Sequence, residues 1–343
     1  MLSGTIDGLD VVLVTQLPTD SWFEGFAIRP SNHVLAARLD APVVYDIDPA
    51  DPDAEPQPVF EFPGVAAAMN LARIPGRPDE YSVMTCEVSD LKQSRWGGFA
   101  IWHLDLSTEG QPKATKKGDV TDIVLPLGLW PVTDQFLLVA DSAQNCLQVL
   151  DTETGKSTIL LADKPSMGPK SKDDFFGINR LAIVNGHIWY CNYSQGTIHK
   201  VPIEVDESNT KEPVRITGSV EMVTDGLDQC DGFLVKPDGT VALTVNPEDG
   251  TLVRTDVGSG GKDSSTVTII MNMLINPTVV ELGPEVDGKQ KVFVICCGEI
   301  NVGWINDNFS WRDIANAIEE TVEVEVDVHS ARASVRSGAF QAV

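Results

Sequence analysis

The chain has 343 residues, 42% apolar and 22% charged, with 50 acidic against 25 basic side chains and a net charge of −25. That composition supplies a full core and excludes disorder, while the charge repels phosphate backbones and anionic lipid heads and so sets aside nucleic acid and membrane surfaces as partners. No apolar run approaches the roughly 18 residues that a bilayer-spanning helix needs.

In chain order, the N-terminus MLSGTIDGLD has no basic or apolar leader pattern, and the expectation is a soluble protein, cytoplasmic or the mature form of a secretory one. A first strand falls around VVLVTQLP. Strand signals punctuated by turn residues then fill the chain: HVLAARLD, YSVMTCEV, FAIWHLDL, FLLVADS, CLQVLDT, HIWYCNY, TIHKVPI, TVALTVN, TLVRTDV and KVFVICCG. One short helix is expected at WRDIANAIEE, residues 311–320. The stretches DPADPDAEPQP and VGSGGKDSS read as solvated loops. Six cysteines (Cys86, Cys146, Cys191, Cys230, Cys296, Cys297) lack any CxxC pair and read as buried free thiols, with one Cys230–Cys191 bridge as the alternative. Sequons at Asn192 and Asn308 matter only in a secreted chain.

VTDQFLLVADSAQNCLQVLDTETGK, VNGHIWYCNYSQGTIHKVPI and KPDGTVALTVNPEDGTLVRTD are three copies of one order of strands and turns. Anchored at the residue opening the first strand of each unit, Leu127, Asn179 and Asp231 fall 52 apart, and Glu24 lies 103 before Leu127. Asn70 and Thr278 mark two further copies. A period near fifty with three or four strands per unit means propeller blades, because each small sheet buries its faces only against its neighbours. The expected fold is all-β, a six-bladed propeller forming one domain over 1–343, with blades opening near 24, 70, 127, 179, 231 and 278. The N-terminal strand closes the last blade beside the C-terminal strand and hides two sheet edges.

In a propeller the innermost strands run along the central axis, so Glu24, Asn179 and Asp231 are expected to meet at one mouth of the channel. Two carboxylates and an amide oxygen, with no lysine or arginine in the same column, repel one another unless a cation sits between them. All-oxygen ligation points to a hard ion such as calcium. The competing reading is that Asp and Asn open strands because they satisfy backbone groups in turns.

FEGFAIRPSN, LGLWPVTDQFLLVADS, GINRLAIVNGHIWYCN, CDGFLVKPDG and NPTVVELG, in this order and spacing, resemble the six-bladed propellers related to regucalcin and gluconolactonase. More narrowly they resemble a fungal branch found with secondary-metabolite pathways. The resemblance covers nearly all of the chain. It implies a calcium or zinc ion held by Glu24, Asn179 and Asp231, with Asp231 also moving a proton. The third blade departs from the family, which usually offers an Asn-Gly pair where this chain has Leu127-Gly128; the apolar substitution speaks against sugar lactones.

The second strand of each blade returns to the same mouth, which brings Arg38, Glu87, Asp141, Asn192, Asn246 and Cys297 near it, about half of them facing the pocket. Trp22, Met69, Trp130 and Phe176 sit beside the opening positions as apolar walls, and Thr278 completes the column. His33, His103, His187, His199 and His329 share no spacing for a metal or a relay. No Ser-His-Asp set, nucleophile elbow or glycine-rich phosphate loop is present.

Members of the fungal branch include hetero-Diels–Alderases of tropolone sesquiterpenoid pathways, which join an ortho-quinone methide to a humulene-type alkene. The resemblance thus implies a pericyclase acting on small apolar molecules, requiring no cofactor, with Arg38 or Asn192 as hydrogen-bond donors and Trp22, Trp130 and Phe176 as walls. The alternative is a metal-dependent lactonase with Asp231 as base. A non-catalytic ligand-binding propeller is the third reading.

Overall fold

The computed structural model of the chain describes residues 3–6, 9–15, 17, 21–51, 54–90, 95–174, 176–258, 262–272, 274–286, 289–297 and 321–326. The helix expected at 311–320, the sequon at Asn308 and His329 lie outside the described residues. Among the described residues no helix is long and apolar enough to cross a membrane.

The chain opens with β1 (Ser3–Ile6) and β2 (Leu9–Thr15). Sheet one is β3 (Phe23–Ile28), β4 (Val34–Arg38), β5 (Val43–Ile47) and β6 (Gln57–Glu61). Sheet two is β7 (Ala67–Arg73), β8 (Glu80–Asp90), β9 (Arg95–Asp105) and β10 (Lys113–Val120). Sheet three is β11 (Pro126–Pro131), β12 (Phe136–Asp141), β13 (Cys146–Asp151) and β14 (Ser157–Leu161), followed by the one-turn helix α1 (Lys164–Met167). Sheet four is β15 (Ile178–Val184), β16 (His187–Asn192), β17 (Thr197–Val205) and β18 (Val214–Ile216), with β19 (Glu221–Thr224) also pairing β17. Sheet five is β20 (Phe233–Val235), β21 (Val241–Asn246), β22 (Thr251–Asp256) and β23 (Thr266–Met271). Sheet six is β24 (Pro277–Val286), β25 (Lys289–Cys296) and β26 (Thr321–Val326), completed by β2 and β1.

Every sheet is an antiparallel meander whose first strand lies innermost. The innermost strands β3, β7, β11, β15, β20 and β24 touch one another in cyclic order, β24 returning to β3. This is a β-propeller. The N-terminal strand β2 pairs with β26 in the register Asp10↔Glu325 to Thr15↔Thr321, so the ends of the chain close the ring as their strand patterns suggest.

Second strands are buried on both faces because each sheet packs between two neighbours about 10 Å away. Hence FLLVAD in β12 and VALTVN in β21 are buried at every residue and lack the alternation of a one-sided strand. Fourth strands form the rim, where Ile159 and Ile269 are exposed. The core is a cycle of inter-sheet clusters; one joins Phe23 and Phe26 of sheet one to Val279, Phe293 and Ile295 of sheet six across the closure.

Where innermost strands crowd at the axis, alternate sheets use glycine. A Cβ on Gly25 would sit 2.7 Å from Asn70 Cα, on Gly128 2.7 Å from the Asn179 carbonyl oxygen, and on Gly232 2.8 Å from Val279 Cα. All six cysteines are free and buried, and the Cys191 thiol lies 3.4 Å from the Cys230 carbonyl oxygen without bridging.

Candidate functional site at the channel mouth

The innermost strands are not regular at the mouth. In β3, β7, β11 and β24 the pairing with the second strand skips one residue, namely Glu24, Met69, Leu127 and Thr278. In β15 two residues, Asn179 and Arg180, stand opposite the single Cys191 of β16, again one extra residue. A bulge leaves its residue unpaired and re-aims its side chain. The bulges place Glu24, Met69, Leu127, Asn179 and Thr278 equivalently, with Asp231 just ahead of β20 as the sixth member. The second position is a correction: Met69 occupies it, and Asn70 lies one residue further in, where its Nδ2 donates to the Leu127 carbonyl at 2.8 Å.

Glu24, Asn179 and Asp231 do come together. The Asn179 Nδ2 donates to Asp231 Oδ1 at 3.0 Å, and Glu24 is close enough to perturb the Asp231 carboxyl. The expectation of a column without a basic residue does not hold. Arg180, which follows Asn179 in the bulge and is only 7% exposed, ion-pairs with Glu24 Oε1 across the channel. Its Nη1 also donates to the Leu127 carbonyl at 2.5 Å and its Nη2 to the Glu24 carbonyl at 3.2 Å. The second carboxylate oxygen of Glu24 accepts from the Trp22 indole Nε1 at 2.9 Å.

Burial, then the negative charge of Glu24, pushes the Asp231 carboxyl up to about 8, against the opposing pull of Arg180 and the Asn179 hydrogen bond. The shift favours the protonated form of Asp231, in which the carboxyl is a hydrogen-bond donor. Deeper in the channel, burial raises Glu281 on β24 to about 7, with the Leu282 backbone N–H and Arg180 acting the other way. The Asn179 Oδ1 is buried without a hydrogen-bond partner.

Apolar packing borders the mouth on the side of sheets one to three. Trp22, Met69 and Leu127 belong to one buried cluster, against which Phe176 and Trp96 pack. Tyr193, in the turn after β16, meets Phe176 edge-on at 5.4 Å, and burial followed by Asp231 and Glu248 raises its phenol. Trp130 stands elsewhere: it packs into the cores of sheets three to five, three residues along β11 from Leu127, roughly 10 Å further down at about 3.3 Å per residue. Thr278 is turned to the Phe23 carbonyl at 3.1 Å and ties sheet six to sheet one.

Most of the strand-end residues serve the backbone instead. Asp141, Asn192 and Asn246 begin the same six-residue hairpin turn, DSAQNC, NYSQGT and NPEDGT, with Asn145, Gly196 and Gly250 in the left-handed conformation four residues on. Asp141 accepts from the backbone N–H groups of Val124, Leu125, Ala143 and Gln144 and from the side chains of Gln144 and Gln148. Asn192 donates to the Ser166 and Gly168 carbonyls and accepts from Gln195 N. Asn246 donates to Asp249 and accepts from Glu248 N and Asp249 N. Arg38 is ion-paired with Asp40, which also accepts from Trp22 N. Glu87 is exposed and lies over Gly98, because β8 continues past it to Asp90. Cys297 donates to the Phe23 carbonyl at 3.2 Å.

Arg180, Glu281, Tyr193 and Trp96 are the residues sequence reasoning missed. For the first two a signal existed: each is a charged residue inside an otherwise apolar innermost strand, GINRLAIV and TVVELG. Tyr193 and Trp96 reach the wall only through tertiary packing.

The donor set fits a resident divalent metal poorly. Both oxygens of Glu24 already accept hydrogen bonds, one from a cation. Asp231 Oδ1 is already bound to the amide that would share the ion with it. Among the described residues no three His, Cys, Asp or Glu side chains converge as a ligand set.

Fold and site together define a β-propeller with a polar, arginine-crossed floor and an apolar wall at one channel mouth. No protein-family model and no curated protein sequence matches the chain. Solved structures share its fold: regucalcin, a calcium-binding protein from Agrobacterium tumefaciens, at 13% identity and TM-score 0.54, covering 92% of both chains. A putative oxidoreductase (glucose dehydrogenase) from Thermus thermophilus aligns at 12% identity and TM-score 0.57, over 93% of this chain and 100% of that one. A streptogramin B lyase aligns at 12% identity and TM-score 0.50, over 93% and 97%. At such identities the likeness is one of fold.

Proposed function

We propose that each of the six sheets is one blade of a six-bladed propeller and that its channel mouth is an enzyme site for small apolar molecules. The reaction we assign to it is a hetero-Diels–Alder addition of a tropolone-type ortho-quinone methide to a humulene-type alkene. The observation that carries the reading is the Asp231 carboxyl, held through Oδ1 by Asn179 and pushed towards its protonated form by burial, beside the buried apolar cluster of Trp22, Met69 and Leu127 on which Phe176 packs.

With Oδ1 accepting from Asn179, the proton resides on Oδ2 and is available to the substrate carbonyl. Such a hydrogen bond withdraws electron density from the heterodiene and is strong in a water-poor site. The cycloaddition forms one C–C and one C–O bond and releases nothing, so the walls need only hold the two partners in a near-attack pose. Asp231 also assists formation of the quinone methide from its hydroxymethyl phenol: its proton goes to the departing hydroxyl as water, and the phenolic proton restores the carboxyl. Asn179 Oδ1 is placed to accept from a substrate hydroxyl. Arg38 and Asn192, bound to Asp40 and to backbone carbonyls, are not the donors.

The second reading, a lactonase, uses Asp231 as a base and therefore needs it ionised. The two readings oppose each other in pH dependence. A rate profile with a hydroxymethyl phenol precursor and a humulene-type alkene is expected to fall as pH rises through about 8, and Asp231→Ala to lose roughly 10²-fold in rate. Lactone hydrolysis rising through the same pH, with no cycloadduct formed at any pH, would overturn the proposal.

A further inference from the structure

The guanidinium of Arg180 sits where the fold brings hard oxygen atoms together. It contacts Glu24 Oε1, the Glu24 carbonyl and the Leu127 carbonyl. Asn179 Oδ1, next to it in the chain, is buried and without a partner, and Asp231 Oδ1 is 3.0 Å from the same amide's nitrogen. The room for the side chain comes from glycine: a Cβ on Gly128 would stand 3.2 Å from Arg180 Cα. Without Arg180, the carboxylate of Glu24 and the Glu24 and Leu127 carbonyls would lose their cation, next to the unpartnered amide oxygen of Asn179 and the Asp231 carboxyl bonded to that amide. Five or more oxygens with net negative charge are what a calcium ion takes.

We infer that Arg180 is a built-in cation standing in for a divalent metal, and that the chain carries a latent calcium site which substitution of Arg180 opens. Glu24 and Asp231 are then held together by a covalently attached charge that does not depend on metal supply. Because the assignment concerns ion binding alone, it stands or falls separately from the reaction proposed above.

The test is thermal unfolding of the full chain in chelator and in calcium chloride up to about 10 mM, some tenfold above the weak end of known calcium sites. Wild type and Arg180→Lys are expected to show no calcium-dependent change in Tm. Arg180→Ala and Arg180→Gln are expected to melt lower in chelator and to recover about 4 °C at a calcium concentration 100 times Kd. Adding Glu24→Gln to Arg180→Ala should abolish the recovery. A variant that folds only with calcium present also supports the inference. It is overturned if wild type holds about one divalent metal per chain or gains stability from calcium, or if the recovery persists in the double variant. It is equally overturned if Arg180→Ala and Arg180→Gln gain nothing from calcium, folded or not.

Discussion

Asn179 and Asp231, 52 residues apart on neighbouring sheets, are joined by a hydrogen bond of 3.0 Å from amide Nδ2 to carboxyl Oδ1. The bond spans one period of the repeat, so it links equivalent positions of two units across the channel mouth. It also leaves each partner one atom for other work, Asn179 Oδ1 and Asp231 Oδ2.

The raised Asp231 carboxyl has a stability consequence. In the unfolded chain it loses its proton near 3.8 and in the fold only near 8, so between these values the folded state holds more proton. Stability from this group is therefore present below pH 3.8 and lost progressively as pH rises to 8. Asp231→Asn should flatten that decline, and its Tm should overtake the wild type's between pH 7 and about 9 in calorimetric scans.

His199 runs the other way. It is 3% exposed, stacks on Tyr190 with ring centroids 5.4 Å apart and shares a 3.0 Å hydrogen bond with Thr197 Oγ1. Burial lowers it to about 4, against the raising influence of Asp163. The unfolded chain takes up the proton near 6.5 and the fold only near 4, so stability falls as pH drops through that window. His199→Gln should lose stability at pH 7 yet show a smaller drop in Tm from pH 7 to about 4.5.

The axial glycines give a steric prediction. Gly25→Ala, Gly128→Ala and Gly232→Ala each force a methyl to within 2.7, 2.7 and 2.8 Å of a neighbouring backbone, and each should destabilise by about 1–3 kcal/mol in denaturant titrations. Gly97→Ala, with nothing within 4 Å of its added Cβ, serves as the near-neutral control.

Asp141 separates a turn residue from a pocket residue. Asp141→Ala orphans six donors, four of them backbone N–H groups, and should cost about 3 kcal/mol or more of stability. In protein that remains folded at low temperature, substrate affinity should be unchanged. A binding defect without a stability defect would restore Asp141 to the site.

Strand positions, the 52-residue period and the meeting of Glu24, Asn179 and Asp231 were legible in the sequence because they rest on local signals: alternation, turn residues and a repeat that recurs whatever surrounds it. The closing of the ring by the N-terminal strand was legible for the same reason, since an unpaired edge needs a partner.

Which side chains enter the channel was decided only by the tertiary structure. Side chains alternate along a strand, so one bulged residue transfers everything after it to the other face. A bulge at Met69 moved Asn70 inward, and the bulge at Asn179 and Arg180 carried a guanidinium to a carboxylate 156 residues earlier in the chain. Asp141, Asn192 and Asn246 look like pocket residues when counted by strand ends, yet their oxygens are claimed by backbone N–H groups a few residues on. An oxygen that must satisfy a buried turn is not free for a ligand, and only the folded chain shows which oxygens those are.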